Sequence, residues 1–168
     1  MTATLPDTLT TARLTLRRPA LQDLEAYVAY YTGPRTAGVG GPKPRHVVVD
    51  RFFAMAGQWA LRGFGRYVMT DGGAGFGHVG VMQTDSDAPL ELTWTLWDGA
   101  REGQGYATEA ARAVLAAWRG APLIAQVAPD NAASLRVAEK LGFLRDDDIA
   151  VPSHYPEGVV TFRQGVLA

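Results

Sequence analysis

Three strand-like runs, FGRYVMT, FGHVGVMQT and LELTWTLW, follow one another between Phe64 and Trp97, with DGG and DSDAP as the turns between them. Connections this short join antiparallel neighbours, because a parallel crossover takes about a dozen residues or more. The stretch is therefore read as an antiparallel meander. In its third run Leu92, Trp94 and Leu96 face one way, and Glu91, Thr93 and Thr95 the other.

The rest of the chain must complete that sheet. ARLTLRRP reads as an opening strand, Leu14 and Leu16 alternating with Arg13, Thr15 and Arg17. LQDLEAYVAYY follows as a helix, with Leu21, Leu24, Val28 and Tyr31 at helical spacing. TGPRTAGVGGPKPRH is a long glycine- and proline-rich loop. VVVDRFFAMAGQWALRG is a second helix stopped at Gly63, although its triple valine suits a strand equally well. ATEAARAVLAAWR is the clearest helix, with Ala107, Ala111, Val114, Leu115 and Trp118 on one face. PLIAQVA is a short strand. DNAASLRVAEKLG is a helix with Asp130 as its N-cap and Gly142 just past its end. FLRD and GVVTFRQ supply closing strands. The expectation is one α/β (α+β) domain over residues 1–168, with 1–12 as a flexible N-terminal extension.

A chain of 168 residues with 47% apolar and 20% charged residues can bury a core of its own. Its net charge of −1 gives no support to nucleic-acid or membrane-surface binding, both of which call for a basic excess. The absence of cysteine excludes disulfides, thiolate nucleophiles and cysteine-ligated metals. His46, His78 and His154 show no ligand spacing, so no metal is expected. Without a signal-peptide layout or an apolar run of membrane-spanning length, a cytoplasmic location is the expectation.

The segment REGQGYATEA places Gly103 and Gly105 directly before a strong helix-forming run. Glycine weakens a helix start unless the backbone there has a job. The first turn of a helix offers unpaired N–H groups and a partial positive charge, and bare backbone lets an anion come close. A tight turn without a ligand is the other reading of the same string. A P-loop would need Gly-Lys-Ser/Thr, which Gln104 and Tyr106 do not supply. A dinucleotide site would need an acidic residue about 20 positions on, and PLIAQVA carries none. A third phosphate-binding design, the pyrophosphate loop for coenzyme A, also seats its ligand on such amides.

Three segments in order resemble the GNAT superfamily of acyl-CoA-dependent N-acyltransferases: RLTLRRPALQDLEAY, LELTWTLWDGAREGQGYATEAARAVLAAW and APDNAASLRVAEKLGF. The nearest branch by resemblance contains the ribosomal-protein N-terminal acetyltransferases. The likeness implies a mixed, mostly antiparallel sheet of about seven strands flanked by about four helices, with the family's fourth and fifth strands splayed. It implies acetyl-CoA as cosubstrate, no metal, and an acetyl group moved to the primary amine of a protein N-terminus or small molecule. A non-catalytic coenzyme A-binding or protein-interaction module on the same fold is the alternative. No nucleic-acid or membrane partner is implied, and the protein is expected as a monomer or homodimer.

The same resemblance assigns roles. Thr95, Leu96 and Trp97 would hold pantetheine and the thioester. Arg101, Gly103, Gln104, Gly105, Tyr106, Ala107 and Thr108 would form the pyrophosphate loop. The family pattern Gln/Arg-x-x-Gly-x-Gly/Ala puts Glu102 in its first slot, a departure that adds a negative charge there. Asn131 would contact pantetheine, and Ser134 would lie near the sulfur and donate to the leaving thiolate. The tyrosine acid of many members is absent, because its slot holds Ala138. Glu91 is the leading candidate for the general base and His78 the second. Tyr27, Tyr30, Tyr31, Arg35, His78, His154 and Tyr155 are candidates for the acceptor pocket, with the 32–45 loop forming part of its wall.

Overall fold

The computed structural model describes residues 3–151, 155 and 157–165. Eight strands form one sheet: β1 (Thr8–Thr10), β2 (Thr15–Arg17), β3 (Arg66–Thr70), β4 (Gly77–Met82), β5 (Glu91–Leu96), β6 (Ile124–Val127), β7 (Phe143–Arg145) and β8 (Val160–Gln164), in the order β1-β2-β3-β4-β5-β6-β8-β7. Every pairing is antiparallel except β5 with β6. The meander is β3–β4–β5.

The strand beyond the expected seven comes from the stretch read as a flexible extension, and that expectation is corrected. Thr10 pairs with Thr15 across a turn closed by Thr11 N–H donating to the Leu14 carbonyl at 2.9 Å. Leu5 is 4% exposed in the core, and the Tyr67 hydroxyl donates to the Pro6 carbonyl at 2.6 Å. Leu5→Ala is therefore expected to cost about 2–4 kcal/mol in urea unfolding, against nothing measurable for a loose tail.

Four α-helices cover the sheet: α1 (Leu24–Tyr31), α2 (Arg45–Arg62), α3 (Tyr106–Ala117) and α4 (Ala132–Lys140). Strand alternation sorts them. Val68 faces Tyr27, Tyr31, Val48, Phe52 and Met55 of α1 and α2. Its neighbours Tyr67 and Met69 share the other core with Ala110, Ala111 and Val114 of α3 and Ala138 of α4. Ala110 and Ala111 are fully buried, and such small side chains let α3 lie close to the sheet.

The triple valine is helical. Val48, Phe52, Met55 and Trp59 make one buried stripe along α2, which outweighs local strand propensity. Gly63, at φ 73°, ends that helix with its N–H on the Trp59 carbonyl. The N-cap of α4 is Asn131 and not Asp130: the Asn131 side-chain oxygen accepts from the Ser134 N–H at 3.1 Å.

One rung of the sheet decides where a ligand can enter. The parallel strands β5 and β6 share a single register pair, Glu91 with Ile124, and the Ile124 N–H donates to the Leu90 carbonyl at 2.9 Å. Beyond it the two strands part. Glu91, Thr93 and Gln126 flank the opening on the α1/α2 side, and Trp94 points to the α3/α4 side. The expected splay is present.

Candidate active site

A cavity of about 680 Å³ occupies this split, lined by β5 from Glu91 to Leu96, the loop before α3, the end of β6 and α4. The loop's shape depends on its glycines. Gly103 and Gly105 sit at φ 73° and 80°, in the left-handed region that L side chains avoid. The first hydrogen bond of α3 runs from the Glu109 N–H to the Gly105 carbonyl at 3.0 Å. Among the described residues, no protein group accepts from the amides of residues 103–108.

Arg13, which the sequence reading passed over, braces this loop from outside. It donates to Glu109 at 2.6 Å and to the Gln104 carbonyl at 2.9 Å, and lies over the Tyr106 ring at 4.3 Å. The Gln104 side chain turns back to the Ala100 carbonyl at 2.6 Å, away from the cavity. Gly103, Gly105, Tyr106, Ala107 and Thr108 line it, as do the cations Arg136 and Lys140 of α4, also missed.

Three assigned cofactor contacts, Gln104 among them, are corrected: they do not line the cavity. Arg101 pairs with Asp71 and lies 3.7 Å from Asp98, with its guanidinium over the Phe76 ring at 4.6 Å. It is engaged on the far side of the loop and does not line the cavity. Glu102 does, and Arg35 forms an ion pair with it, so the departure from the family pattern carries its own counter-charge. Trp97 does not line the cavity either. Its N–H donates to the Phe76 carbonyl at 2.8 Å, its carbonyl accepts from Arg35 at 2.7 Å, and its indole is buried. Thr95 and Leu96 remain on the wall.

Glu91 sits at the vertex of the split, 8% exposed. Its Oε2 accepts from the Tyr155 hydroxyl at 2.6 Å. Burial raises the carboxyl to about 7, against the opposing pulls of the Tyr155 hydrogen bond, the Arg66 charge and the Gln126 N–H. A carboxyl poised there exchanges a proton near neutral pH. Tyr155, expected at the acceptor pocket, thus meets the candidate base directly.

His78 and Tyr31 are corrected as site residues. His78 is 1% exposed and accepts from Trp97 Nε1 at 3.0 Å; burial, and then the Arg66 charge, hold its basicity well below the ordinary histidine value. It is a neutral core residue. Tyr31 stacks on it at 6.4 Å in the same core as Tyr27. Tyr30 and Arg35 do line the cavity. His154 lies outside the described residues.

On the other side, Trp94 Nε1 donates to Ser134 Oγ at 3.3 Å. That bond occupies an acceptor lone pair of the hydroxyl and leaves its own O–H to donate into the cavity. Trp94 was read only as an apolar face residue, and its N–H is what orients Ser134. Asn131 spends its oxygen on the α4 cap, and its Nδ2 lies against Gly38, where an added Cβ would be 3.0 Å away. This contact draws the 3-10 turn at Pro34–Val39 over the cleft as a wall. Ala138 is fully buried in the core under α3 and α4, so its slot presents no acid to the cavity. Among the described residues no group of three or more His, Asp or Glu could hold a metal ion, and no helix is long and apolar enough to cross a membrane.

Comparison with known proteins gives a consistent picture. The sequence matches the model of the acetyltransferase (GNAT) domain over residues 13–144. The fold superposes on the crystal structure of an acetyltransferase from Agrobacterium tumefaciens with a TM-score of 0.81 and 33% identity, over 93% of this chain and 92% of that one. A GNAT-family acetyltransferase from Bordetella pertussis gives 0.75 and 25%, over 95% and 100%. The ribosomal-protein-S5-alanine acetyltransferase from Vibrio fischeri gives 0.69 and 16%, over 93% and 94%. A search of curated proteins finds no match to this sequence.

Proposed function

The chain belongs to the GNAT acetyltransferase family, and on that premise we propose that it moves an acetyl group from acetyl-CoA to a primary amine by direct attack in a ternary complex. The acceptor is the amine of a small molecule or a protein N-terminus. The observation that carries the reading is the row of amides at 103–108, unpaired among the described residues and opening onto a one-rung split in the sheet.

The residues present fit coenzyme A. Unpaired amides at a helix N-terminus suit a diphosphate, and Arg136 and Lys140 add positive charge along the same wall. Bound acetyl-CoA supplies an activated acyl thioester. The unpaired edge of β5 beyond Glu91 offers backbone groups to line a pantetheine arm up with the split. Glu91, ionised above about pH 7, takes the proton of the attacking amine, directly or through one water. Ser134, oriented by Trp94, donates its hydroxyl hydrogen to the departing sulfur. A serine here and Ala138 in the tyrosine slot match the acid of the ribosomal-protein N-terminal acetyltransferase branch, while the acceptor is set by the other face of the cleft.

Calorimetry with acetyl-CoA, followed by thiol release over a panel of amines and peptides, tests the reading. No binding at millimolar acetyl-CoA overturns it, and binding without thiol release anywhere in the panel leaves a coenzyme A-binding module instead. The Arg35–Glu102 pair gives a finer check. Arg35→Ala strands a carboxylate beside the amides and is expected to weaken acetyl-CoA about fivefold, more at low salt. Adding Glu102→Gln restores most of the loss.

A further inference from the structure

The pleat puts Arg66, Gly80 and Thr93 in one row across β3, β4 and β5, on the face that carries Glu91. Gly80 puts no side chain between the other two. Arg66 is half-buried and does not itself line the cavity, though Thr93 in its row does, and among the described residues its guanidinium has no ion pair and no hydrogen bond. Arg13, Arg17, Arg18, Arg35, Arg45, Arg101, Arg145 and Arg163 each meet a carboxylate, whereas Arg51 and Arg136 share the unpaired state of Arg66 but lie off this row. The Arg66 charge acts on Glu91 and Tyr155.

Gln126 and Thr161 stand directly opposite each other on β6 and β8, on the same face. Gln126 Nε2 and Thr161 Oγ1 are both buried, and both lack a partner among the described residues. Gln126 lines the cavity two residues past the Glu91–Ile124 rung. Buried donors are rarely left unmade, since each costs about 1–3 kcal/mol. A turn of the Gln126 side chain toward the cavity it lines would let a ligand oxygen satisfy the amide.

Resting on the transferase reading, we infer that the acceptor amine carries a free carboxylate, in the manner of an α-amino acid, held by Arg66 and Gln126 while its nitrogen faces Glu91. A simple alkylamine satisfies neither group. A peptide N-terminus offers a neutral carbonyl, which suits Gln126 and leaves the guanidinium alone. A carboxylate gives one oxygen to each, and charge-assisted bonds of this kind are the strong ones.

The test titrates L-amino acids and their C-terminal amides into the coenzyme A complex, and measures thiol release from acetyl-CoA with the same compounds. The acids are expected to bind at least ~10-fold more tightly than their amides. Arg66→Gln removes that preference and leaves acetyl-CoA affinity unchanged, Arg66→Lys retains part of it, and Gln126→Leu weakens acids and amides alike. Amides binding as well as acids, or an Arg66→Gln loss equal for both, overturns the inference. Thiol release from amides and peptides as fast as from acids also overturns it, while the transferase reading stands. Selective acid binding without thiol release from any amine does the reverse. If neither acid nor amide binds, the inference falls outright.

Discussion

Gly105→Val is expected to lower acetyl-CoA affinity at least about 100-fold, or roughly 3 kcal/mol. Gly105 occupies φ 80° at the N-cap of α3, with the nearest foreign atom to an added Cβ 3.6 Å away, so backbone conformation is the obstacle and not crowding. An L-residue in the left-handed region costs about 1–2 kcal/mol, and a β-branched one more. The loop relieves that strain by rotating its peptide planes, which turns the amides of residues 103–108 off their common focus. Gly72→Val is the control: the same left-handed strain at φ 98°, in an open turn between β3 and β4, with acetyl-CoA affinity retained. Far-UV circular dichroism should be preserved in both. Unchanged affinity in Gly105→Val removes the loop from the account of binding.

Glu91→Gln is expected to reduce kcat by about 10²–10⁴-fold, the usual range for a positioned base. The wild-type rate should climb with pH and level off above about 7, because burial has lifted the carboxyl to that value and the ionised form is the base. The variant should lack this rise. The same shift predicts a stability effect of definite sign. In the unfolded chain the carboxyl titrates near 4.5, so between there and 7 the native state holds a proton that the unfolded state has lost. Stability from this group is full below about 4.5 and is lost as pH rises through 7, about 3 kcal/mol at most. The melting temperature of Glu91→Gln should therefore gain on the wild type between pH 5 and 8. A rate profile unaltered by the substitution transfers the role of base to another group.

Much of this was legible in the chain because its signals are local. Alternation at Leu92, Trp94 and Leu96 requires only neighbours in sequence, and Gly103 and Gly105 announce a backbone that other residues avoid. What stayed hidden depends on distant partners. Arg101 and Glu102 are adjacent and look equally able to meet a phosphate. Asp71, 30 residues away, takes the first, and Arg35, 67 away, takes the second. Asp130 and Asn131 are both good caps, and a shift of one residue decides which oxygen reaches the Ser134 N–H. The Thr8–Thr10 strand is too short to show a period. His78 reads as a polar residue on a half-buried strand until α1 and α2 are packed over it.

The single rung between β5 and β6 bears on more than where a ligand enters. Five strands lie on one side of the seam and three on the other, so the sheet is two blades joined by one rivet, with α3 and α4 as the strap. A coenzyme lying along the seam would serve as the absent ladder, and occupancy and mechanical cohesion would become one variable. Hydrogen exchange at the seam, compared with the middle of β4, would then report saturation from the backbone itself.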